Sequence, residues 1–232
     1  MIERRIPFFV VIAGTDGAGK TTLCRSVVDA LNKDGTFAKR LDRFAIGRHE
    51  DCSVASLLVG DCDILRAHTL RMPNPARLLF LLWCYAEPVI EHLRRPQAQP
   101  GILVMDSYWI KHVAAEILMG CDARAALAAA QLLPQADMVF DVRVEPSVAL
   151  RRKTVGELVP YECGSTEHCS PTAFLQHQLA LREHLDRWSA RWNWLRIDGE
   201  RPIDELAADV CVAIRQRWTH VSVNPQNEVE FP

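Results

Sequence analysis

Neither sign of charge is in surplus along the 232 residues: 27 lysines and arginines stand against 29 aspartates and glutamates, a formal net charge of −2. So even a balance carries no strong nucleic-acid signal, because a dedicated binder shows a basic excess. No two of the eight cysteines (24, 52, 62, 84, 121, 163, 169 and 211) have C-x-x-C spacing, so neither a zinc ribbon nor a thioredoxin-like centre is signalled. Cys163, His168 and Cys169 form the closest group, but with no convincing fourth ligand they read as reduced loop cysteines. Long apolar runs are also missing. The block Leu78–Tyr85 is far too short for a bilayer, and the basic-then-apolar start through Ile12 lacks a small-residue cleavage site. The expectation is a cytoplasmic protein with no membrane attachment.

What is present suits one large soluble domain. The hydrophobic share of 49% can build a sizeable core, and 24% charged residues is ordinary for a surface. Apolar runs alternate with amphipathic stretches. Strands are expected at Phe8–Ala13, Phe37–Leu41, Ile102–Met105 (ending on Asp106), Asp137–Val144 and Trp194–Ile197. Helices are expected over Lys20–Lys33, Ala76–Arg95 with a kink or break at Pro88, and Lys111–Leu133 with a break at Gly120. Three more follow at Pro146–Lys153, Phe174–Trp192 and Pro202 to about Trp218. A polar loop follows the second strand, a loop rich in Gly, Pro, Ser and Thr covers about 154–171, and 219–232 reads as a loose tail. Strands alternating with helices imply an α/β fold with a parallel sheet covered on both faces.

One motif carries chemistry. Gly14-Thr15-Asp16-Gly17-Ala18-Gly19-Lys20-Thr21 fits G-x-x-x-x-G-K-[ST], after a buried strand and at the start of a helix. In such a loop the backbone N–H groups of residues such as Gly14, Gly17, Ala18, Gly19 and Thr22 turn around a phosphate. The helix N-terminus adds its positive end, Lys20 reaches the β and γ oxygens, and the Thr21 hydroxyl ligates Mg²⁺. The expected cofactors are ATP and Mg²⁺.

The stretch Phe9–Leu23 resembles the opening of thymidylate kinases. Val104-Met105-Asp106-Ser107-Tyr108 resembles that family's Asp-Arg-Tyr motif, Leu133–Val142 with Pro146–Arg151 its fourth strand and next helix, and Pro160-Tyr161-Glu162 with Phe174 its lid and post-lid helix. The resemblance spans about residues 7–217. It implies a P-loop NTPase fold with a five-stranded parallel sheet, a kinase domain over 1–218 and a lid at about 151–171. The implied activity is transfer of the ATP γ-phosphoryl group to a small-molecule, nucleotide-like acceptor. Asp106 is then a metal-holding carboxylate and Asp16 the carboxylate near sugar and metal; a turn Asp and a loop-stabilising Asp are the competing readings. Arg151, Arg152 and Lys153 are candidates to close over phosphates, or else a solvated helix end. Arg43 and Phe44 resemble acceptor-side residues, and a homodimer through the Leu78–Tyr85 face is implied, though a buried core helix explains that face equally well.

The pattern departs from the family on the acceptor side. Ser107 replaces the Arg of Asp-Arg-Tyr, Cys84-Tyr85 replaces an Asp-Arg pair, and Pro160 replaces a lid Arg. Tyr85 and Tyr108 remain as acceptor candidates, as does Lys111, one turn beyond Ser107, if the turn aims it inward. Trp83 reads as core or pocket. Two alternatives stay open. One is a kinase of a hydroxyl group, with Asp42 as base or as a salt-bridged loop residue; the other is a non-catalytic ATP-binding regulatory protein.

Overall fold

The computed structural model describes residues 7–42, 62–94, 101–153 and 158–223. Five strands, β1 (Phe8–Gly14), β2 (Ala38–Leu41), β3 (Ile102–Asp106), β4 (Met138–Arg143) and β5 (Leu195–Asp198), form one all-parallel sheet in the order β2-β3-β1-β4-β5. Each begins or ends within a residue or so of its sequence expectation; β1 and β3, buried on both faces, read as unbroken apolar runs. The central strand β1 is buried along its whole length.

Period-two alternation sends successive β1 residues to opposite faces. Phe8, Val10 and Ile12 pack with Ile102, Val104 and Phe140 against α1 (Lys20–Lys33) and α8 (Ile203–Val223). Phe9, Val11 and Ala13 pack with Leu103 and Met105 against α3 (Ala76–Arg94), α4 (Ile110–Leu118), α5 (Ala123–Ala130) and α7 (Pro171–Arg191). Thus β1 and β3 lie side by side while their following helices leave for opposite faces. A crevice opens at their carboxyl ends, where open α/β sheets bind ligands.

Several expectations need correction. Pro88 does not end α3, which continues to Arg94. Leu82, Tyr85 and Val89, buried on both sides of the proline, hold that helix on the sheet. The same burial makes the Leu78–Tyr85 face largely internal, with Leu79 turned out. The polar loop after β2 gives way to α2 (Cys62–Arg71), whose mixed polarity hides a helical period. The break at Gly120 does occur: Gly120 has φ 98°, and the Asp122 carboxylate then caps α5 by accepting from the Ala125 N–H at 2.8 Å. A short α6 (Pro146–Arg151) follows β4. Helix α7 starts at Pro171, three residues early, because Ser170 caps it and proline suits its first turn. Helix α8 reaches Val223, so the tail boundary at 219 is too early; the Thr219 hydroxyl donates to the Arg215 carbonyl at 2.7 Å.

Cys163 and Cys169 are not reduced but form a disulfide. The 3₁₀ turn Pro160–Cys163 ends on a left-handed Gly164, which reverses the chain and brings Cys169 back within 5.3 Å of Cys163 between Cα atoms. Among the described residues no helix is long and apolar enough to cross a membrane.

At the opposite end of the sheet, where β4 and β5 begin, lies a cleft of about 1200 Å³ lined by Trp109, Trp192 and Trp194 with Leu127 and Arg217. Trp188 completes an aromatic chain, with ring centroids 5.5–5.9 Å apart from Trp109 to Trp194. The cleft holds none of the glycine-loop residues and belongs to the packing of α7 and β5 rather than to the crevice.

Gly14 is the tightest point of the loop entry. Its φ is 147°, and a Cβ there would stand 2.7 Å from the Val142 carbonyl oxygen of the neighbouring strand. Gly14→Ala is expected to lower unfolding free energy by roughly 2–4 kcal/mol in urea titrations, from backbone strain plus displacement of β4.

Candidate functional site

The crevice is built from the glycine loop, the end of β3 and the first turns of α4. Gly17 and Gly19 take φ of 76° and 85°, and Gly19 caps α1 with no side-chain acceptor and no acidic residue in its first turn. The N–H groups at the start of α1 therefore face the crevice without a competing carboxylate of their own helix, the arrangement that favours an anion. Ala18 is buried in the core beneath the loop, whereas Thr21 and Thr22 are exposed. Lys20 is buried and its Nζ donates to the Thr15 carbonyl at 2.5 Å. Burial pushes its pKa down to about 8, against the opposing pull of Asp16. Thr15 Oγ1 is buried beside it with no hydrogen-bond partner. An orphaned hydroxyl and a desolvated ammonium are both costly groups that an anion in the loop would relieve.

Asp106 sits at the carboxyl end of β3, and its Oδ2 accepts from the Thr21 hydroxyl at 2.6 Å. Among the described residues no three His, Cys, Asp or Glu side chains converge on a metal position. A divalent cation at this point would draw on the Thr21 hydroxyl and the Asp106 carboxylate, the hard oxygens that Mg²⁺ takes together with phosphate oxygens and water. The residues fit such an ion.

Lys111 does point inward. The reason is the backbone after β3, where Ser107 and Tyr108 both adopt positive φ (59° and 45°), a rare and costly conformation for two successive side chains. That turn swings α4 over the loop, and Lys111 Nζ reaches Asp16 Oδ1 at 2.6 Å with both residues buried. Burial alone would push the Asp16 carboxyl up; Lys111 above all, then Lys20 and Lys153, outweigh it and hold the group well below the usual carboxylate range. The charge at Lys111 is thus already matched by a carboxylate. Gln178, wholly buried on α7, accepts from the Asp16 N–H at 2.8 Å and donates to the Glu162 carbonyl at 2.8 Å. It ties the loop to the turn Pro160–Cys163.

The three cations after β4 separate. Arg152 donates to the Gly199 carbonyl at 2.9 Å, and its guanidinium lies 4.0 Å from where a Gly19 Cβ would be, at the mouth of the loop. Arg151 is exposed at the end of α6, and Lys153 is bound to both Glu162 oxygens at 2.7 and 2.8 Å. Tyr85 and Tyr108 are core residues instead of crevice walls. Each is 1% exposed, their rings meet edge to face at 5.9 Å, and the Tyr108 hydroxyl donates to the Pro134 carbonyl. Trp83 is half-buried with its ring 6.2 Å from Phe80, and Asp42 lies 3.4 Å from Arg40. Arg43 and Phe44 lie outside the described residues.

Two features escape sequence reasoning. Arg77, at the start of α3, is buried against Glu116 of α4, its Nε and Nη2 donating at 2.7 and 3.0 Å to the two carboxylate oxygens. The Tyr161 hydroxyl also donates to Glu116, at 3.0 Å. The available signal was a lone acid in the apolar stretch Val113–Leu118. Gln178 gave no signal at all, since its partner is 162 positions away.

No protein-family model matches the chain, and no curated protein matches its sequence.

The depressed Asp16 acidity has a stability consequence. A carboxylate whose folded pKa lies below its unfolded one stabilises the fold above the unfolded pKa, and that contribution fades as pH falls through the folded one. Asp16→Asn is expected to lose about 3–5 kcal/mol at pH 7, since it leaves Lys111 buried and unpaired. The gap to wild type should narrow as urea titrations move below about pH 4.

Proposed function

We propose that the chain is a P-loop phosphotransferase that takes Mg²⁺·ATP in the glycine loop and passes the γ-phosphoryl group to a nucleotide-like acceptor. The observation that carries this reading is the meeting of Thr21 and Asp106, 2.6 Å apart, in the crevice where β1 and β3 send their helices to opposite faces. A hydroxyl from a glycine-loop helix beside a carboxylate from the next strand is the donor pair a phosphate-bound Mg²⁺ uses. Resemblance of residues 7–217 to thymidylate kinases adds to it, with the departures at Ser107, Tyr85 and Pro160.

In this reading the chain supplies position and charge. The loop N–H groups and the α1 N-terminus hold the phosphates. Lys20 leaves the Thr15 carbonyl for β and γ oxygens, and Arg152 stands at the mouth to meet developing charge. Mg²⁺ supplies charge neutralisation between those oxygens when bound. Asp16, kept ionised by Lys111, faces the acceptor side as an acceptor of hydrogen bonds, and its low basicity suits orientation better than proton abstraction.

A hydroxyl acceptor is the second reading, and one observation favours it. The buried cations on this side among the described residues, Lys111 and Arg77, are each matched by a buried carboxylate, Asp16 and Glu116. Such pairs offer an incoming phosphate monoester little unspent positive charge.

Incubation with Mg²⁺·ATP and a panel of nucleoside monophosphates and nucleosides separates these readings. Diphosphates formed from the added monophosphates support the first, monophosphates formed from the added nucleosides the second, and ATP binding without acceptor-stimulated turnover points to a regulatory protein. Lys20→Ala is expected to weaken binding of a fluorescent ATP analogue about 10- to 100-fold, the worth of a charge-assisted hydrogen bond. Because the free Lys20 ammonium titrates near 8, wild-type affinity should fall as pH rises through about 8, and Lys20→Ala should lack that fall. Tight binding by Lys20→Ala would sink the phosphate-loop reading.

A further inference from the structure

Helix α4 carries three inward-facing residues within its first two turns, Lys111, His112 and Glu116, and the last two share Tyr161 as a partner. Lys111 pairs with Asp16 of the glycine loop. His112 stacks on Tyr161 of the 3₁₀ turn, ring centroids 5.5 Å apart and planes at 26°. Glu116, fully buried, takes Arg77 from the first turn of α3 and the Tyr161 hydroxyl on the same Oε1 atom, at 2.7 and 3.0 Å. Arg77 in turn holds the α2–α3 connection, donating to the Met72 carbonyl at 3.0 Å and the Asn74 side chain at 2.9 Å.

We propose that Glu116 is a shared anchor through which the turn Pro160–Cys163 and the α2–α3 connection are positioned together on α4, with Tyr161 and Arg77 as its two positioning residues. A buried carboxylate is costly unless its lone pairs are filled, so a partner's departure weakens the hold on the other. Docking Tyr161 also covers the ion pair beneath: Lys111 Nζ is 5.9 Å from the Tyr161 ring centroid. Excluding water there strengthens the attraction between Lys111 and Asp16. The turn is further held by Lys153 on Glu162 and Gln178 on the Glu162 carbonyl, so the Tyr161 hydroxyl sets its register on α4 rather than its existence. The functional part of the inference, that this register governs acceptor access, rests on the phosphotransferase reading above.

Hydrogen exchange tests the anchor without any ligand. In Tyr161→Phe, the amides of Glu162, Gly164 and Ser165, which bond to the Val159, Tyr161 and Pro160 carbonyls, are expected to exchange about fivefold faster. Amides of β1 and β3 should be unchanged. The charge-conserving variant Arg77→Lys, which loses the two-pronged grip on Glu116, should speed the same turn amides beyond any change in β1, although Arg77 touches none of them. Turn amides that exchange at the wild-type rate in either variant, or that accelerate only in step with β1, would overturn the shared anchor. In turnover assays Tyr161→Phe should raise acceptor KM with kcat and ATP KM nearly constant; an unchanged acceptor KM overturns the access role. Failure of the wild type to bind Mg²⁺·ATP would instead sink the phosphotransferase reading, and the exchange result would stand apart from it.

Discussion

Everything around the crevice depends on a buried ammonium facing a buried carboxylate. Lys111 and Asp16 come from elements 95 positions apart, and their 2.6 Å contact fixes α4 against the glycine loop. The pair is affordable only because the surroundings finish its hydrogen bonding, with Gln178 beside Asp16 and the Tyr161 ring above Lys111. The strained Ser107–Tyr108 turn is what this geometry requires. A relaxed strand-to-helix connection would carry Lys111 elsewhere, so packing of Tyr108 between Phe9 and Tyr85 must hold the backbone where it is.

Several costly features gather at this site. Lys20 is desolvated enough to lose much of its ordinary basicity, Thr15 has an unpartnered hydroxyl, and two successive residues sit at positive φ. Natural chains tolerate this kind of cost where a ligand or a reaction offsets it, and the β1–β3 crevice is where the fold concentrates it.

Legibility followed sequence distance. The strands and the glycine loop were readable because their signals are local: apolar runs, unbroken in β1 and short in β2 and β5, and glycines at a fixed offset from Lys20 and Thr21. The Gly120 break and the Pro171 start obey local cap and turn rules as well. What could not be read is what only folding brings together. Arg77 and Glu116 are 39 positions apart and Gln178 and Asp16 162 apart; beyond the lone acid in Val113–Leu118, neither partner's segment points to the other. Tyr85 and Tyr108 look like pocket residues on sequence order alone, but the apolar cluster on one face of the sheet, with Leu103, Met105 and Val113, absorbs their rings. The Cys163–Cys169 bridge lay beyond composition because it depends on the left-handed Gly164 that turns the chain back.

The aromatic chain at the far end of the sheet has an optical consequence. Four of the six tryptophans, Trp109, Trp188, Trp192 and Trp194, lie within one another's energy-transfer range at the α7–β5 corner. Excitation absorbed by any of them migrates among the group before emission, so the intrinsic fluorescence of this protein is dominated by a single corner. Trp109 belongs to that group and is also the N-cap of α4, two residues before Lys111. The native glow therefore reports how this corner is packed and, through Trp109, how the first turn of α4 is seated.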